Sequence, residues 1–365
     1  MTGGLRGYEL VEVGAPLRPT ERDGGPLAED EVLVEVAGCG LCHTDLGFLY
    51  DGVRTRHALP LILGHEIAGV VREAGAAATH LLGAGVVVPA VIPCGACADC
   101  RAGHPMICKR QIMPGNDQDG GFATHVRVPA HGLCVVPGFT GDPDAPLGAA
   151  GVSLRHLAVV ADAVSTPFQA IRRAGLRAGD VAVVIGLGGV GGYAAQIARA
   201  LGAWVVGIDV SSARLAEAAA LGVELTVDAT GRASRELRKQ VVEACRAAGV
   251  PTTRWTILEC SGTAAGQSLA FDLLVHGATL CVVGFTLDRL EVRLSNLMAF
   301  DARALGNWGC DPAYYPEVVQ MALDGRIDIA SRVELRPLAD IATAFADVHA
   351  HRATRRIVLV PSVSA

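Results

Sequence analysis

The sequence predicts a two-domain α/β protein: a β-rich domain formed by the first part of the chain and its tail, interrupted by a doubly wound parallel sheet. Three observations predict it. The chain has 365 residues, ~2.4 times an ordinary domain length. Its texture changes near residue 165, from short apolar runs punctuated by Gly and Pro to alternating strand-like and helix-like segments. A glycine-rich turn stands where the first of those strands meets its helix. Composition agrees, since 51% hydrophobic and 19% charged residues describe a chain that buries a sizeable core and exclude disorder over most of its length. The net charge of −6 excludes a nucleic-acid binder.

Taken in order, EVLVEV (31–36) alternates polar and apolar as a half-buried strand does. GVVVPA (85–90) and LCVVP (133–137) are further short runs between turns, the pattern of a small antiparallel barrel with sites on its loops. GFTGDPDAPL (138–147) reads as a surface loop. VAVVIG (181–186), WVVGID (204–209), WTILEC (255–260) and TLCVVG (279–284) are strand-like. Helix-like stretches such as Ser211–Leu221 and Ser234–Ala248 separate them, which predicts a parallel sheet. The tail is mixed and ends in the strand-like IVLV (357–360). The domain boundaries expected are 1–163 with 306–365, and 164–305.

Eleven cysteines in a chain of this length are not a secreted disulfide scaffold. The first residues carry charge where a signal peptide needs an apolar stretch, so a cytoplasmic protein is expected. Val181–Ala198 lacks charge but is broken by glycines, which suits a buried strand turning into a helix and not a membrane span. Clustered thiols in a reducing compartment signify metal or catalysis. Cys94, Cys97, Cys100 and Cys108 follow C-x2-C-x2-C-x7-C. Four thiolates this close suit tetrahedral Zn²⁺ in a closed, structural site; an iron–sulfur cluster uses the same donors. Cys39, Cys134, Cys245, Cys260, Cys281 and Cys310 receive no role beyond buried packing.

A second donor group lies on three separate segments: Cys42, His43, Thr44 and Asp45; His65 and Glu66; and Asp162. Further on, Gly186, Gly188 and Gly191 form G-x-G-x-x-G between a hydrophobic strand and a helix expected from Tyr193 to Leu201. That is the context of a dinucleotide-binding Rossmann turn, where backbone N–H groups and a helix N-terminus meet a pyrophosphate. Asp209 ends the next strand, where a carboxylate holds ribose hydroxyls and repels a 2′-phosphate. NAD is therefore expected over NADP, with the nearby Arg214 as the opposing feature.

The motifs GCGLCHTD (38–45), the four-Cys lobe, GHE (64–66) and GLGGVG (186–191) occur in that order. In these the chain resembles the zinc-dependent medium-chain alcohol dehydrogenases along nearly its whole length. The resemblance implies a GroES-like catalytic domain joined to a Rossmann domain, with the catalytic cleft between them and two Zn²⁺ per chain. Cys42, His65 and Asp162 would hold the catalytic ion; many relatives have Cys in place of Asp162. Glu66 would be a carboxylate able to approach the metal. Thr44 would accept the alcohol proton, and Asp45 would orient His65. His43, Thr166, Gly189, Val190 and Arg214 would join Gly186, Gly188, Gly191 and Asp209 in contacting the cofactor. Gly47 stands where many relatives continue the proton relay with His. The resemblance also implies a homodimer or homotetramer.

Longer stretches, 37–53, 59–71, 161–170, 297–310 and 314–327, resemble a branch that oxidises a ring secondary alcohol carried as a CoA thioester. A small-molecule alcohol of that kind is the expected substrate. A general secondary-alcohol dehydrogenase and a non-catalytic, zinc-stabilised nucleotide-binding protein are the alternatives.

Overall fold

The computed structural model describes residues 5–362. The chain divides into two compact units, Met1–Ser165 with Gly309–Ala365, and Thr166–Trp308.

The first unit opens with β1 (Leu5–Leu10), β2 (Arg18–Arg22), β3 (Glu31–Gly40), α1 (His43–Leu49), β4 (Leu61–Ile62), β5 (Glu66–Ala74) and β6 (Gly85–Val88). The short helix α2 (Ala98–Arg101), β7 (His125–Pro129) and β8 (Cys134–Val135) follow. The second unit comprises α3 (Ser165–Ala174), β9 (Val181–Ile185), α4 (Gly191–Ala200), β10 (Trp204–Asp209), α5 (Ser212–Ala220) and β11 (Leu225–Asp228). It continues with α6 (Ser234–Ala248), β12 (Thr256–Glu259), α7 (Ala264–Asp272), β13 (Thr279–Val282), α8 (Ser295–Ala299) and β14 (Arg303–Gly306). The tail returns to the first unit as α9 (Tyr315–Leu323), β15 (Val333–Pro337), α10 (Ile341–His349) and β16 (Arg356–Val360).

In the first unit, β15-β16-β3-β5-β6-β8 form one sheet, with β7 also pairing β3, and β2-β1-β4 form another. The pairing among β1–β8 is antiparallel, as the sequence predicts for that part of the chain; in the tail β16 joins β3 antiparallel and β15 runs parallel to β16. β3 differs from the half-buried strand its alternation suggested. It pairs with both β5 and β7, continues to Gly40, and buries every residue except Glu31 and Glu35, which are partly exposed. A strand with a neighbour on each edge and side chains packed on both faces loses its polar face. Its core includes Leu10, Ile62, Ile67, Phe122 and Phe345, the last two ring edge to ring face at 5.8 Å.

In the second unit all six strands are parallel in the order β11-β10-β9-β12-β13-β14. This is two βαβαβ halves diverging from β9 and β12, and ligands sit at the carboxyl ends of such a switch point. The central strands β9, β10, β12 and β13 are largely buried and rich in Val, Ile and Leu, as a sheet covered on both faces requires, whereas the edge strands β11 and β14 are largely uncovered. On α6, Leu237, Val241 and Cys245 recur every four residues and are buried, and Gly249 ends it in the left-handed conformation (φ 68°). α4 begins at Gly191, two residues before the expected start, because glycines that break a helix interior are tolerated in its first turn, where the backbone N–H groups have no intrahelical partner. Among the described residues no helix is long and apolar enough to cross a membrane.

Candidate active site

Cys42, His65 and Asp162 come together in the first unit. One donor atom from each, with a Glu66 carboxylate oxygen, lies within 4.8 Å of all the others. Cys42 Sγ is 3.7 Å from Asp162 Oδ2, and His65 Nε2 is 3.6 Å from the same oxygen. Donors bound to one tetrahedral ion at ~2.0–2.3 Å stand roughly 3.3–3.8 Å apart, so these separations fit a shared Zn²⁺. The imidazole supplies the sharper test. His65 is 1% exposed, yet neither ring nitrogen makes a hydrogen bond. An unsatisfied buried polar group costs about 1–3 kcal/mol, and an ion at Nε2 removes that cost. Burial opposes a proton on the ring, but Asp45, Asp162 and Cys42 outweigh it and raise the His65 pKa well above the usual value.

Asp45, fully buried, ties two of these segments together. Its Oδ2 accepts the Cys42 N–H at 3.0 Å and its Oδ1 the Gly64 N–H at 3.2 Å, which fixes the residues that carry Cys42 and precede His65. Oδ1 also stands 3.4 Å from His65 Nδ1. Thr44 Oγ1 is 3.7 Å from Cys42 Sγ and partly exposed, while the neighbouring His43 opens α1 and is exposed.

Glu66 is held by a residue the sequence gave no reason to select. Arg356 Nε donates to Glu66 Oε2 at 3.1 Å and its Nη2 to Oε1, both groups being buried. Burial works against the Arg356 charge, but Glu66, Cys42 and Asp162 together raise its pKa further. Glu66 Oε1 also accepts the Ala163 N–H at 3.1 Å. A Cβ on Gly40 would fall 2.1 Å from Glu66 Oε2, so the glycine before Leu41-Cys42 is the space this carboxylate occupies.

The four-thiol knuckle is equally compact. Its Sγ atoms lie within 4.8 Å of one another, with Cys97 3.4 Å from Cys100 and 3.8 Å from Cys108. These are separations for thiolates on one ion and far beyond a disulfide bond of ~2.05 Å. Backbone N–H of Ala96 and Cys97, with the Cys108 thiol, lower the Cys94 pKa to about 6, and Arg110 Nη2 lies 3.2 Å from its sulfur.

In the second unit the turn Gly186–Gly191 lies at the end of β9, beside the loop that follows β12. Gly186 has φ +83°, and a Cβ there would meet Ser261 Cα at 2.6 Å. A Cβ on Gly191 would reach Gly186 O at 1.7 Å. Gly188, Gly189 and Val190 are partly exposed, and Gly188 has the Arg214 guanidinium 3.8 Å from its Cβ position. Asp209 Oδ2 accepts the Leu187 N–H at 2.7 Å, and Oδ1 accepts those of Val210 and Ser211 at 2.8 and 2.9 Å. The carboxylate thus fastens the turn to the end of β10, with Arg214 Nη1 at 3.8 Å. Thr166, nearly buried, has its carbonyl bound by Asn307 Nδ2 at 3.0 Å. Glu259, at the end of β12, is another buried acid that the sequence did not single out. Its Oε1 accepts the N–H groups of Ser261 and Gly262 at 2.7 and 3.2 Å.

Comparisons with known proteins agree with this geometry. Residues 28–138 match the family described as Alcohol dehydrogenase GroES-like domain, and residues 189–324 match Zinc-binding dehydrogenase. The chain is 28% identical over 347 residues to an alcohol dehydrogenase of Geobacillus stearothermophilus, covering 94% of this chain and 96% of that one. It is 25% identical to the L-galactonate-5-dehydrogenase of Escherichia coli, covering 87% of each. Among solved structures, the alcohol dehydrogenase of Aeropyrum pernix superimposes with a TM-score of 0.83 at 28% identity, covering 98% of this chain and 100% of the other. The chain belongs to the zinc-type medium-chain alcohol dehydrogenase family. It is an oxidoreductase of the class that acts on CH–OH groups.

Proposed function

We propose that this enzyme is a zinc- and NAD-dependent dehydrogenase of a cyclic secondary alcohol. The specific substrate proposed is 6-hydroxycyclohex-1-ene-1-carbonyl-CoA, oxidised to the 6-oxo thioester. The observation that carries the enzymatic reading is the set Cys42, His65 and Asp162 gathered around a buried imidazole without a hydrogen bond. Three protein donors are the count of zinc sites that keep a place for substrate, and four thiolates that of closed ones. Two ions per chain follow, the second held by Cys94, Cys97, Cys100 and Cys108.

When bound, Zn²⁺ supplies a Lewis acid that acidifies an alcohol, and the dinucleotide supplies the hydride acceptor. The chain's own residues do the rest. Thr44, two residues after Cys42, offers a hydroxyl that takes the alcohol proton. Asp45 fixes the orientation of His65. Glu66, anchored by Arg356, holds the backbone that follows Asp162. The 186–191 turn and the N-terminus of α4 meet the pyrophosphate, with His43 and Thr166 as further contacts. Asp209 places negative charge where a 2′-phosphate would lie, which favours NAD, and it draws Arg214 toward itself.

The substrate proposal rests on the stretches 37–53, 59–71, 161–170, 297–310 and 314–327. A second reading, a secondary-alcohol or polyol dehydrogenase of the same family, is favoured by the relative named for oxidation of L-galactonate. NADH formation with the thioester, a simple secondary alcohol and a sugar acid separates the two. Turnover of the thioester alone supports the first, and turnover only of the others supports the second. We further propose a cytoplasmic location, in keeping with eleven cysteines none of which is paired, and a homo-oligomer, as the family resemblance implies.

A further inference from the structure

Asp162 follows a two-turn 3₁₀ helix (His156–Ala161) and lies outside regular helix, at φ −142° and ψ −63°. A carboxylate in such a place is harder to aim than a thiolate, because it has one more side-chain torsion and two equivalent oxygens. The backbone on either side is clamped. After Asp162, the Ala163 N–H donates to Glu66 Oε1 at 3.1 Å. Before it, the Ala161 carbonyl accepts from three directions: the Tyr315 hydroxyl at 2.5 Å, Ser165 Oγ at 3.2 Å and the Ala90 N–H at 3.3 Å. The Ala90 N–H also reaches the Tyr315 oxygen at 3.3 Å. Tyr315 is the first residue of α9, far along the chain, and is fully buried.

We infer that Tyr315, supported by Ser165, is a positioning residue for Asp162: its hydroxyl holds the Ala161–Asp162 peptide so that the carboxylate faces Cys42 and His65. The inference rests on the metal-site reading above. A buried tyrosine needs some partner for its hydroxyl, but here that partner is the carbonyl joined to a metal donor. Removing the oxygen leaves the Ala161 carbonyl bonded to Ser165 and Ala90, so Tyr315→Phe retains the fold.

The test is zinc content and chelator competition on the full-length holoenzyme, comparing wild type, Tyr315→Phe and Ser165→Ala, with Co²⁺ absorption of the exchanged site as a second readout. Loss of a hydrogen bond made directly to a metal ligand weakens binding about 10–100-fold, and Tyr315, one peptide further back, is expected at the lower end of that range. Tyr315→Phe is therefore expected to release one of the two zincs that much more readily and to shift the Co²⁺ bands. The four-thiol zinc and thermal unfolding should stay near wild type, and Ser165→Ala should move the same site less. Unchanged affinity and spectrum in Tyr315→Phe overturn the inference. Should that variant not fold, an unchanged Ser165→Ala does so. A wild type that holds a single zinc overturns the metal-site reading instead.

Discussion

The four-thiol knuckle and the Cys42–His65–Asp162 set are both tight donor clusters, but they are built in opposite ways. The knuckle draws all its donors from fifteen consecutive positions, 94–108, and its loop alone brings them together. The other set needs the end of β3, the start of β5 and the loop before α3, all held by interactions outside the ligands themselves: Asp45 to Gly64, Glu66 to Arg356 and Tyr315 to Ala161. A closed site depends on its own spacing. An open one, as proposed for Cys42, His65 and Asp162 with a Glu66 oxygen close by, keeps a place for substrate, so its geometry depends on the surrounding fold.

This contrast predicts separable losses. Asp162→Ala is expected to abolish turnover and lower zinc from two to one per chain while Tm changes little. Cys97→Ser is expected to lose the other zinc and lower Tm, since structural zinc contributes directly to folding. If either variant loses both ions, the two sites are not independent. The same measurement decides between zinc and an iron–sulfur cluster in the knuckle.

Next in size is the support of the open site. Arg356→Met leaves the Glu66 carboxylate buried without its cation, and breaking such a pair costs about 3–5 kcal/mol. Arg352, which pairs with Asp347 while largely exposed, should cost below ~1 kcal/mol when changed to Ala. Urea unfolding of the two variants measures the difference, and equal costs would remove Arg356 from the account of the site.

The glycine turn sharpens the comparison in the second unit. Gly191→Ala places a methyl 1.7 Å from Gly186 O, so the turn must shift and dinucleotide binding should weaken by roughly tenfold or more, ~1.4 kcal/mol. Gly188→Ala meets only the flexible end of Arg214 at 3.8 Å and should cost little stability. Titration of cofactor fluorescence reads the first variant and thermal unfolding the second.

The smallest effect concerns pH. Glu9 is buried beneath Arg18 and Arg22. Burial raises its pKa, but the hydrogen bonds from Arg22 and Arg18 outweigh that and leave it below its ordinary 4.5. A carboxyl lowered on folding contributes stability above its unfolded pKa, and that contribution fades as pH falls through the folded value. Glu9→Gln should therefore cost stability at neutral pH and flatten the acid limb below about pH 4.5, as thermal unfolding across pH would record. An unchanged acid limb would exclude this cluster as a source of acid sensitivity.

What the sequence made legible follows the same division. Close spacing reveals the knuckle and the glycine turn because their chemistry is local. The parallel sheet was visible because its four central strands are apolar runs, while the uncovered edge strands β11 and β14 carry no such signal; the alternation in 31–36 misled, since Glu31 and Glu35 are only partly covered and every residue between them is buried. Cys42, His65 and Asp162 could be selected by family resemblance, but no periodicity joins residues so far apart. Arg356 follows Arg355 before an apolar strand and looks like a solvated charge. Gly40, whose missing side chain makes room for Glu66, gains its meaning only from the fold. Tyr315 lies in the stretch 314–327, noted only for its resemblance, and that its hydroxyl reaches Ala161 is a property of the tertiary fold alone. Asp209 is expected from its place at a strand end to face ribose hydroxyls; its three bonds to backbone N–H groups leave no trace in the sequence.

Zinc counted per chain in purified wild type and in Cys42→Ser puts the central claim to its most direct trial. The account predicts two ions falling to one, with the knuckle's ion retained. A single ion in both proteins, or two in both, would contradict it.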